Sequence, residues 1–511
     1  MSPIDIMKQV DGYKPSHAKM YAQFGELQFL QSNWTNRKSR LPDVDHVVHF
    51  GLQAFLHHLT TGFDTFFAAD TDQVCELYHQ WLTRIYGLEV AKTIGTDHVR
   101  ALHQLGFLPL RFSAMPEGTL VPIKVPSFIV ENTVSGFGWV VNYFETLGST
   151  SYWMPSTNAT IARQFRLLLD AAAERTGASK ADVDYQCHDF SMRGQSSLES
   201  AKASGAAHLL SFSGSDTAPA LDWIDDNYLG WNPPGPLTIP ATEHSVMSTG
   251  IAVLGKGDRF EGEKVTFEKL LDLYPSGNLA IVSDTFNLWD VLTKILPAHR
   301  DKIMARDGKL IIRPDSGDPT RIEIGDGSPG VDPLSPQGKG VVRLLWQVFG
   351  GTSNKKQFQV LDPHIGTIYG DAINLDRARQ ITYELEAMNF VSTTVTLGVG
   401  SYTYHGSTTR DTFGSAEKGT WGQVDGEGYN LFKDPITDDG TKRSATGRLA
   451  VVMRHFLADG GRSDEVVTRL GLLEEATPEE EAQSLLQPIW QDGKFLKHQS
   501  FSDVREVLSQ G

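Results

Sequence analysis

Residues 183–218, VDYQCHDFSMRGQSSLESAKASGAAHLLSFSGSDTA, alternate apolar runs with polar stops. The first run ends at His188, Asp189 and Phe190, with Arg193 three residues beyond. The second ends at Ser213, Gly214, Ser215 and Asp216. Between them SSLESAKASGAAHLL reads as a helix. Strand, loop, helix, strand, loop is the order of a unit with parallel strands. It brings an aromatic ring, a guanidinium and a carboxylate to neighbouring strand ends, a floor able to hold a flat polar ring.

The same pattern recurs over residues 146–405. PLTIPATEHS ends at Glu243 and His244, NLAIVSDTFN at Ser283 and Asp284, and KLIIRPDSGDP at Arg313 and Asp315. IGTIYGDAIN ends at Gly370 and Asp371, and VSTTVTLGVGS at Gly398 and Gly400. With VDYQCHDF and AHLLSFSGSD this makes seven expected strands, separated by helical stretches such as TFNLWDVLTKIL and VVRLLWQVFG. An α/β fold follows, an irregular parallel (β/α) barrel of about seven strands, with working residues at the C-terminal strand ends. An open doubly wound sheet shows the same alternation and stands as the alternative. Against it, polar residues follow every strand and not one switch point, no GxGxxG opens the first unit, and no GxxxxGK[ST] occurs. The Gly-, Pro- and Asp-rich stretch 316–341 reads as a surface excursion or lid beside the site.

The flanks differ. Residues 27–34, LQFLQSNW, read as a strand running into the basic cluster Arg37, Lys38 and Arg40. Residues 71–87 have helical periodicity, with Thr71 or Asp72 as N-cap and Gly87 as the stop. Pro109, Pro116, Pro122 and Pro126 separate short strands. The expected domains are 1–145, mixed α+β; 146–405, the catalytic barrel; and 406–511, a strand-rich segment returning to the first domain.

Composition narrows the class. The 511 residues are 40% hydrophobic and 21% charged, which supports a large core and argues against disorder. A net charge of −16 argues against a general nucleic-acid binder, so any phosphate must be held by local Arg/Lys clusters. Cys75 and Cys187 lie in no CxxC pattern, so they read as buried structural thiols and not as a zinc site or disulfide framework. The N-terminal residues lack the apolar core of a signal peptide, and no stretch approaches the ~18–20 apolar residues of a membrane span. A cytoplasmic soluble protein, with no membrane partner, is the expectation.

Each strand end has a chemical reading and a plainer one. Arg313-Pro314-Asp315-Ser316-Gly317 offers a bidentate fork and a small-residue turn to an anion, or forms a salt-bridged rim. His244 beside Glu243 can act as base or nucleophile, or be structural. Asp284 and Asp371 suit sugar hydroxyls or a magnesium-bound water, or cap the next helix. Gly398 and Gly400 allow backbone to approach a phosphate. Arg37, Lys38, Arg40, Arg410, Lys433, Lys442 and Arg443 add cations from outside the barrel. The set suits a flat uncharged ring, a ribose and several phosphates. The matching chemistry is substitution at the anomeric carbon with pyrophosphate leaving, through an oxocarbenium-like transition state.

DGYKPSH, FGLQ, MPEGTLVP, VENT, HDFSMRGQSS, GSDT, PATEHS, VSDTFN, IIRPDSG, GDAIN, TRD, LFKDP and KRSATGRL, in this order along nearly the whole chain, resemble the nicotinamide phosphoribosyltransferases of the type II phosphoribosyltransferase family. The resemblance implies nicotinamide and phosphoribosyl pyrophosphate as substrates, nicotinamide mononucleotide and diphosphate as products, and a homodimer with shared sites. It implies that Phe190 and, from the partner subunit, Tyr13 sandwich the ring, that Asp216 accepts from the amide, and that Arg313 contacts the amide oxygen or diphosphate. Arg193, His244, Asp284 and Pro314 fall at the phosphates and ribose, as do Asp315, Gly370 and Asp371, with Gly400, Arg410 and Arg37 on the 5′-phosphate. His244, Arg313 and Asp315 form the implied catalytic set, His244 being phosphorylated by ATP, with Mg2+ carried on the diphosphate and no protein metal site assigned. Independently, a carboxylate at Asp216 favours an amide donor and repels the carboxylates of nicotinate or quinolinate, the rival substrates.

Overall fold

The computed structural model describes residues 2–438, 440–457 and 466–511. They form two compact units, Met1–Thr160 with Ile224–Trp231 and Thr408–Gly511, and Ile161–Trp223 with Asn232–Ser407. The units divide at Thr160 and not at 145, inside a helix that spans Glu145–Thr176.

The first unit is built on a seven-stranded antiparallel sheet in the order Glu427–Asn430, Ala416–Val424, Leu27–Thr35, Pro126–Asn132, Leu110–Ala114, Gln487–Gln491 and Lys494–Phe495. Strands from both chain ends are therefore neighbours: Leu27–Thr35 pairs with Ala416–Val424 on one side and Pro126–Asn132 on the other. Its residues from Leu30 to Trp34 are all buried, as a central strand requires. Trp34 stacks on Phe128 at 6.0 Å and meets Tyr152 edge-on at 5.2 Å, an aromatic centre for the core. The helix Thr71–Tyr86 is capped by Asp70, one residue before the expected cap, with Oδ1 accepting from the Asp72 and Gln73 amides at 3.0 Å.

The second unit holds a six-stranded parallel half-barrel: β1 Cys187–Asp189, β2 Gly214–Ser215, β3 Leu279–Val282, β4 Leu310–Arg313, β5 Ile365–Tyr369 and β6 Val395–Val399. Their order is β2-β1-β6-β5-β4-β3. β3 and β5 are buried throughout, consistent with strands covered on both faces. The expected count of seven is corrected to six. The segment PLTIPATEHS forms no strand, because Pro236 and Pro240 have no N–H to donate to a ladder. It bonds the two edge strands locally instead, with a one-residue parallel bridge between Ala241 and Ala280 in which Thr242 N also donates to Ala280 O at 3.0 Å. Leu237 O accepts from Ser215 N at 2.9 Å, and Pro240 O from Ala280 N at 2.9 Å. The second expected strand is also shorter: Ala207–Leu209 belong to the helix Leu198–Leu209, begun by a Ser197–Ser200 capping box and closed by Leu210 as C-cap, and only Gly214–Ser215 extends.

The stretch 316–341 is exposed over much of its length, Leu334 at 77%, but it is anchored on the sheet side. Asp318 caps a helix Pro319–Ile324 by accepting from Arg321 N at 3.0 Å, and Thr320, Glu323 and Ile324 are buried. Glycine content here serves close packing. A Cβ on Gly340, whose φ is +75°, would lie 2.4 Å from Gly325 N. Glu323 Oε1 meets Thr367 Oγ1 of β5 at 2.8 Å, and its Oε2 has no hydrogen-bond partner. Burial pushes the Glu323 carboxyl up to about 8, against the lowering effect of Thr367. An acid whose folded pKa lies above its unfolded value holds its proton longer in the folded state, so stability falls as pH rises between the two. Wild type is therefore expected to lose melting temperature relative to Glu323→Gln as pH rises from about 5 to about 8; parallel melting curves across that range would contradict the assignment.

Candidate active site

The floor at the ends of β1 and β2 is held by a carboxylate outside it. Asp189 is fully buried, and its Oδ2 accepts from Ser215 Oγ at 2.9 Å and Thr217 Oγ1 at 2.7 Å. Its Oδ1 accepts from Ser191 N at 2.9 Å, and its carbonyl from Asp216 N at 2.9 Å. Phe190 N donates to Val399 O of β6 at 2.8 Å, which fixes where the ring leaves the strand. Gly398 makes room for that ring: a Cβ there would lie 2.5 Å from Phe190 and 2.7 Å from Gly370 Cα. Its missing side chain thus admits the aromatic ring. A Cβ on Gly400 would meet nothing, so that backbone faces open space.

The Arg313 guanidinium lies 5.1 Å over the Phe190 ring centre. Asp216 Oδ1 accepts from Thr238 Oγ1 and meets His188 Nε2 at 3.0 Å. Burial raises the Asp216 carboxyl, but the His188 hydrogen bond and charge, Thr238 and Arg313 outweigh it, so its pKa lies below the usual carboxylate value. It is thus an ionised acceptor at neutral pH. Gly214 is required for this pairing, since a Cβ there would lie 2.6 Å from His188 Nδ1.

Three further groups gather beside the floor. His244 Nε2 is 3.9 Å from both Asp284 Oδ1 and Asp315 Oδ2, and its Nδ1 is 3.4 Å from Thr285 Oγ1. Asp284 Oδ2 accepts from Asp315 N at 2.9 Å and Ser316 Oγ at 2.6 Å, locking the loop after β4. Arg313 Nη2 is 3.5 Å from Asp315 Oδ1.

A cavity of about 510 Å3 brings together Phe190, Arg193, Asp216, Arg313, Asp315, Gly370, Asp371 and Gly400. A smaller one of about 200 Å3 joins Arg193, Arg313 and Asp315 to Glu243 and His244. Pro314 is buried and Asp284 stands behind Asp315, so neither lines these cavities. Tyr13, Arg37 and Arg410 belong to the first unit. There Tyr13 is 56% exposed with its hydroxyl donating to Asp11 at 3.2 Å, and Arg37 Nε donates to Gly414 O at 2.7 Å. Burial, and then the charge of Arg410, lower the Arg37 pKa, so these two cations are near neighbours. Sequence reasoning placed His188 at the end of the first strand without giving it a role, and did not single out Thr238. His188 lies two residues before Phe190 on one strand, a spacing that puts both on one face; their ring centres are 4.8 Å apart.

Solved structures share this architecture. The *Pyrococcus furiosus* structure described as nicotinate-nucleotide pyrophosphorylase matches with a TM-score of 0.55 at 13% identity, over 99% of this chain and 95% of its own. Human nicotinic acid phosphoribosyltransferase matches with a TM-score of 0.55 at 16% identity, over 98% and 93%. Those likenesses show a shared fold. The sequence profile of the nicotinate phosphoribosyltransferase (NAPRTase) family matches residues 185–487. Curated proteins named nicotinamide phosphoribosyltransferase are similar from end to end: that of Acinetobacter baylyi is 40% identical over 99% of this chain and 97% of its own length. That of Xanthomonas campestris pv. campestris is 31% identical over 98% and 97%. The chain belongs to the NAPRTase family.

Gly398→Ala tests the floor. The added methyl displaces the Phe190 ring, and overpacking of this kind costs about 1–3 kcal/mol. Affinity for the pyridine base is expected to fall by roughly 10- to 100-fold, together with a lower melting temperature; undiminished base affinity would show that the ring position is unimportant.

Proposed function

We propose that the chain transfers the phosphoribosyl group of phosphoribosyl pyrophosphate to nicotinamide, giving nicotinamide mononucleotide and diphosphate, as a step of NAD biosynthesis. One observation carries the choice of base: Asp216, an ionised carboxylate that His188 and Thr238 orient, lines the same cavity as Phe190 and Arg313. A carboxamide donates an N–H to it, whereas the carboxylate of nicotinate faces like charge. The curated relatives' names support the same base, although the family is named for nicotinate.

In this reading the ring lies on Phe190, with the partner subunit's Tyr13 on its other face in a homodimer that shares its sites. The pyridine nitrogen attacks the anomeric carbon, the bond from that carbon to the diphosphate oxygen breaks, and the electron pair leaves with diphosphate. Asp315 and Asp371 stabilise the developing positive charge and hold the ribose hydroxyls, while Arg193 and Arg313 hold the phosphates. Gly400, Arg410 and the partner subunit's Arg37 hold the 5′-phosphate. A magnesium ion carried by the diphosphate would neutralise charge on the leaving group, with Asp371, which lines the cavity, the carboxylate placed to hold its water shell.

ATP enters through His244. In the tautomer that carries its proton on Nδ1, which lies 3.4 Å from Thr285 Oγ1, Nε2 takes the γ-phosphoryl group, forming an N–P bond as the P–O bond to ADP breaks. His244 is half exposed, as that transfer requires. The setting we assign is the cytoplasm, where these nucleotides are made and used; among the described residues no helix is long and apolar enough to cross a membrane.

Purified protein given phosphoribosyl pyrophosphate and labelled base is expected to form mononucleotide from nicotinamide, faster with ATP. Product from nicotinate alone would overturn the reading. His244→Ala is expected to keep slow synthesis and lose the response to ATP; a variant still stimulated by ATP would rule out the phospho-histidine.

A further inference from the structure

The loop after β6 carries an aromatic ring that the proposed reaction does not use. Tyr402 is 61% exposed and lines the cavity of about 510 Å3, with Met192, Gly400 and Ala372 beside it. Leaving so large a ring in water is unfavourable. It is also not the result of a loose loop, because the residues around Tyr402 are tied inward.

Ser401 packs closely against the loop after β1: a Cβ on Gly194 would lie 2.6 Å from Ser401 Cβ. Thr403 is buried, and its Oγ1 donates to Ile373 O, in the loop after β5, at 2.7 Å. Tyr404 is fully buried, with its hydroxyl 2.7 Å from His208 Nδ1. His208 Nε2 is in turn 3.0 Å from Gly214 O of β2. A carbonyl only accepts, so Nε2 carries the proton and Tyr404 donates to Nδ1. Burial lowers the His208 pKa to about 4, which keeps this ring neutral. Tyr402–Gly406 form a π-helical turn, a form that recurs at functional sites. The turn is fixed from three sides, and Tyr402 projects from it into the cavity.

Its surroundings limit what it can meet. In the proposed reaction the base has Phe190 on one face and the partner subunit's Tyr13 on the other, so the base needs no third ring. Tyr402 follows Gly400, assigned to the 5′-phosphate, by two residues, and it shares the cavity with Asp371, assigned to the ribose. Between those two polar ends, a ribose 5-phosphate presents the C–H groups of C4′ and C5′. Arg193, Arg313, Asp315 and Asp371 cannot cover that apolar strip without losing solvation, whereas an aromatic face can.

We propose that Tyr402 is a donor-recognition residue, its ring packing on the C4′–C5′ edge of the ribose 5-phosphate unit of phosphoribosyl pyrophosphate. The inference rests on the proposed reaction for the identity of the donor. It adds a contact that neither the charged groups nor the base sandwich supplies.

The test is steady-state kinetics of the full chain with each substrate varied in turn. Tyr402→Ala is expected to raise KM for phosphoribosyl pyrophosphate at least about tenfold, with KM for nicotinamide and the melting temperature unchanged. Tyr402→Phe keeps the ring and is expected to stay within about threefold of wild type. Ribose 5-phosphate shares the C4′–C5′ edge and lacks the diphosphate. It is expected to compete with phosphoribosyl pyrophosphate, and Tyr402→Ala to raise its inhibition constant by a similar factor. An unchanged KM for the donor in Tyr402→Ala, or a Tyr402→Phe as impaired as Tyr402→Ala, overturns the proposal. Wild type that forms no mononucleotide from phosphoribosyl pyrophosphate would overturn the reaction itself; wild-type turnover with an unaffected Tyr402→Ala counts against Tyr402 alone.

Discussion

The candidate site depends on one buried carboxylate. Asp189 accepts from Ser191, Ser215 and Thr217, so a single side chain fixes the loops after β1 and β2. A fully buried carboxylate is tolerated only when its oxygens are bonded in this way. The consequence is geometric: Phe190 and Asp216, which follow those strands, keep one relative position. Their strands are very short, only three and two residues, so a backbone ladder alone would not hold them.

From that frame the chemistry builds outward. Gly214 and Gly398 omit side chains where His188 and Phe190 must lie. His188 and Thr238 then hold Asp216 ionised, and Asp284 fixes the loop that carries Asp315. Phe190, Asp216 and Asp315, which would meet substrate, are each held by a neighbouring group. This arrangement suits catalysis in which charge develops on the sugar and departs on the leaving group, since fixed dipoles need no reorganisation.

The half-barrel was legible because apolar runs that stop on charged residues state where a parallel strand ends. Arg313, Asp315, Gly370 and Asp371 could be placed on that basis alone. The misreadings have local causes. Prolines make 236–245 look like a strand bounded by turns while removing the N–H groups a strand needs. The helix at Leu198–Leu209 continues through apolar residues that match a strand equally well. In 316–341 a Gly- and Pro-rich composition suggested solvent throughout, yet Gly325 and Gly340 are there because backbones touch. His188 was named as a strand end but given no role, because its partner Asp216 across the sheet cannot be read from its own segment.

The central claim is that an oriented carboxylate at Asp216 selects an amide over an acid. Its most direct test is the ratio of kcat/KM for nicotinamide to that for nicotinate, in wild type and in Asp216→Asn. Asparagine keeps the shape and removes the charge, and a hydrogen bond to a charged group contributes about 1.5–3 kcal/mol. The ratio is predicted to fall by roughly 10- to 100-fold, with nicotinate gaining as nicotinamide loses. An unchanged ratio would contradict the account.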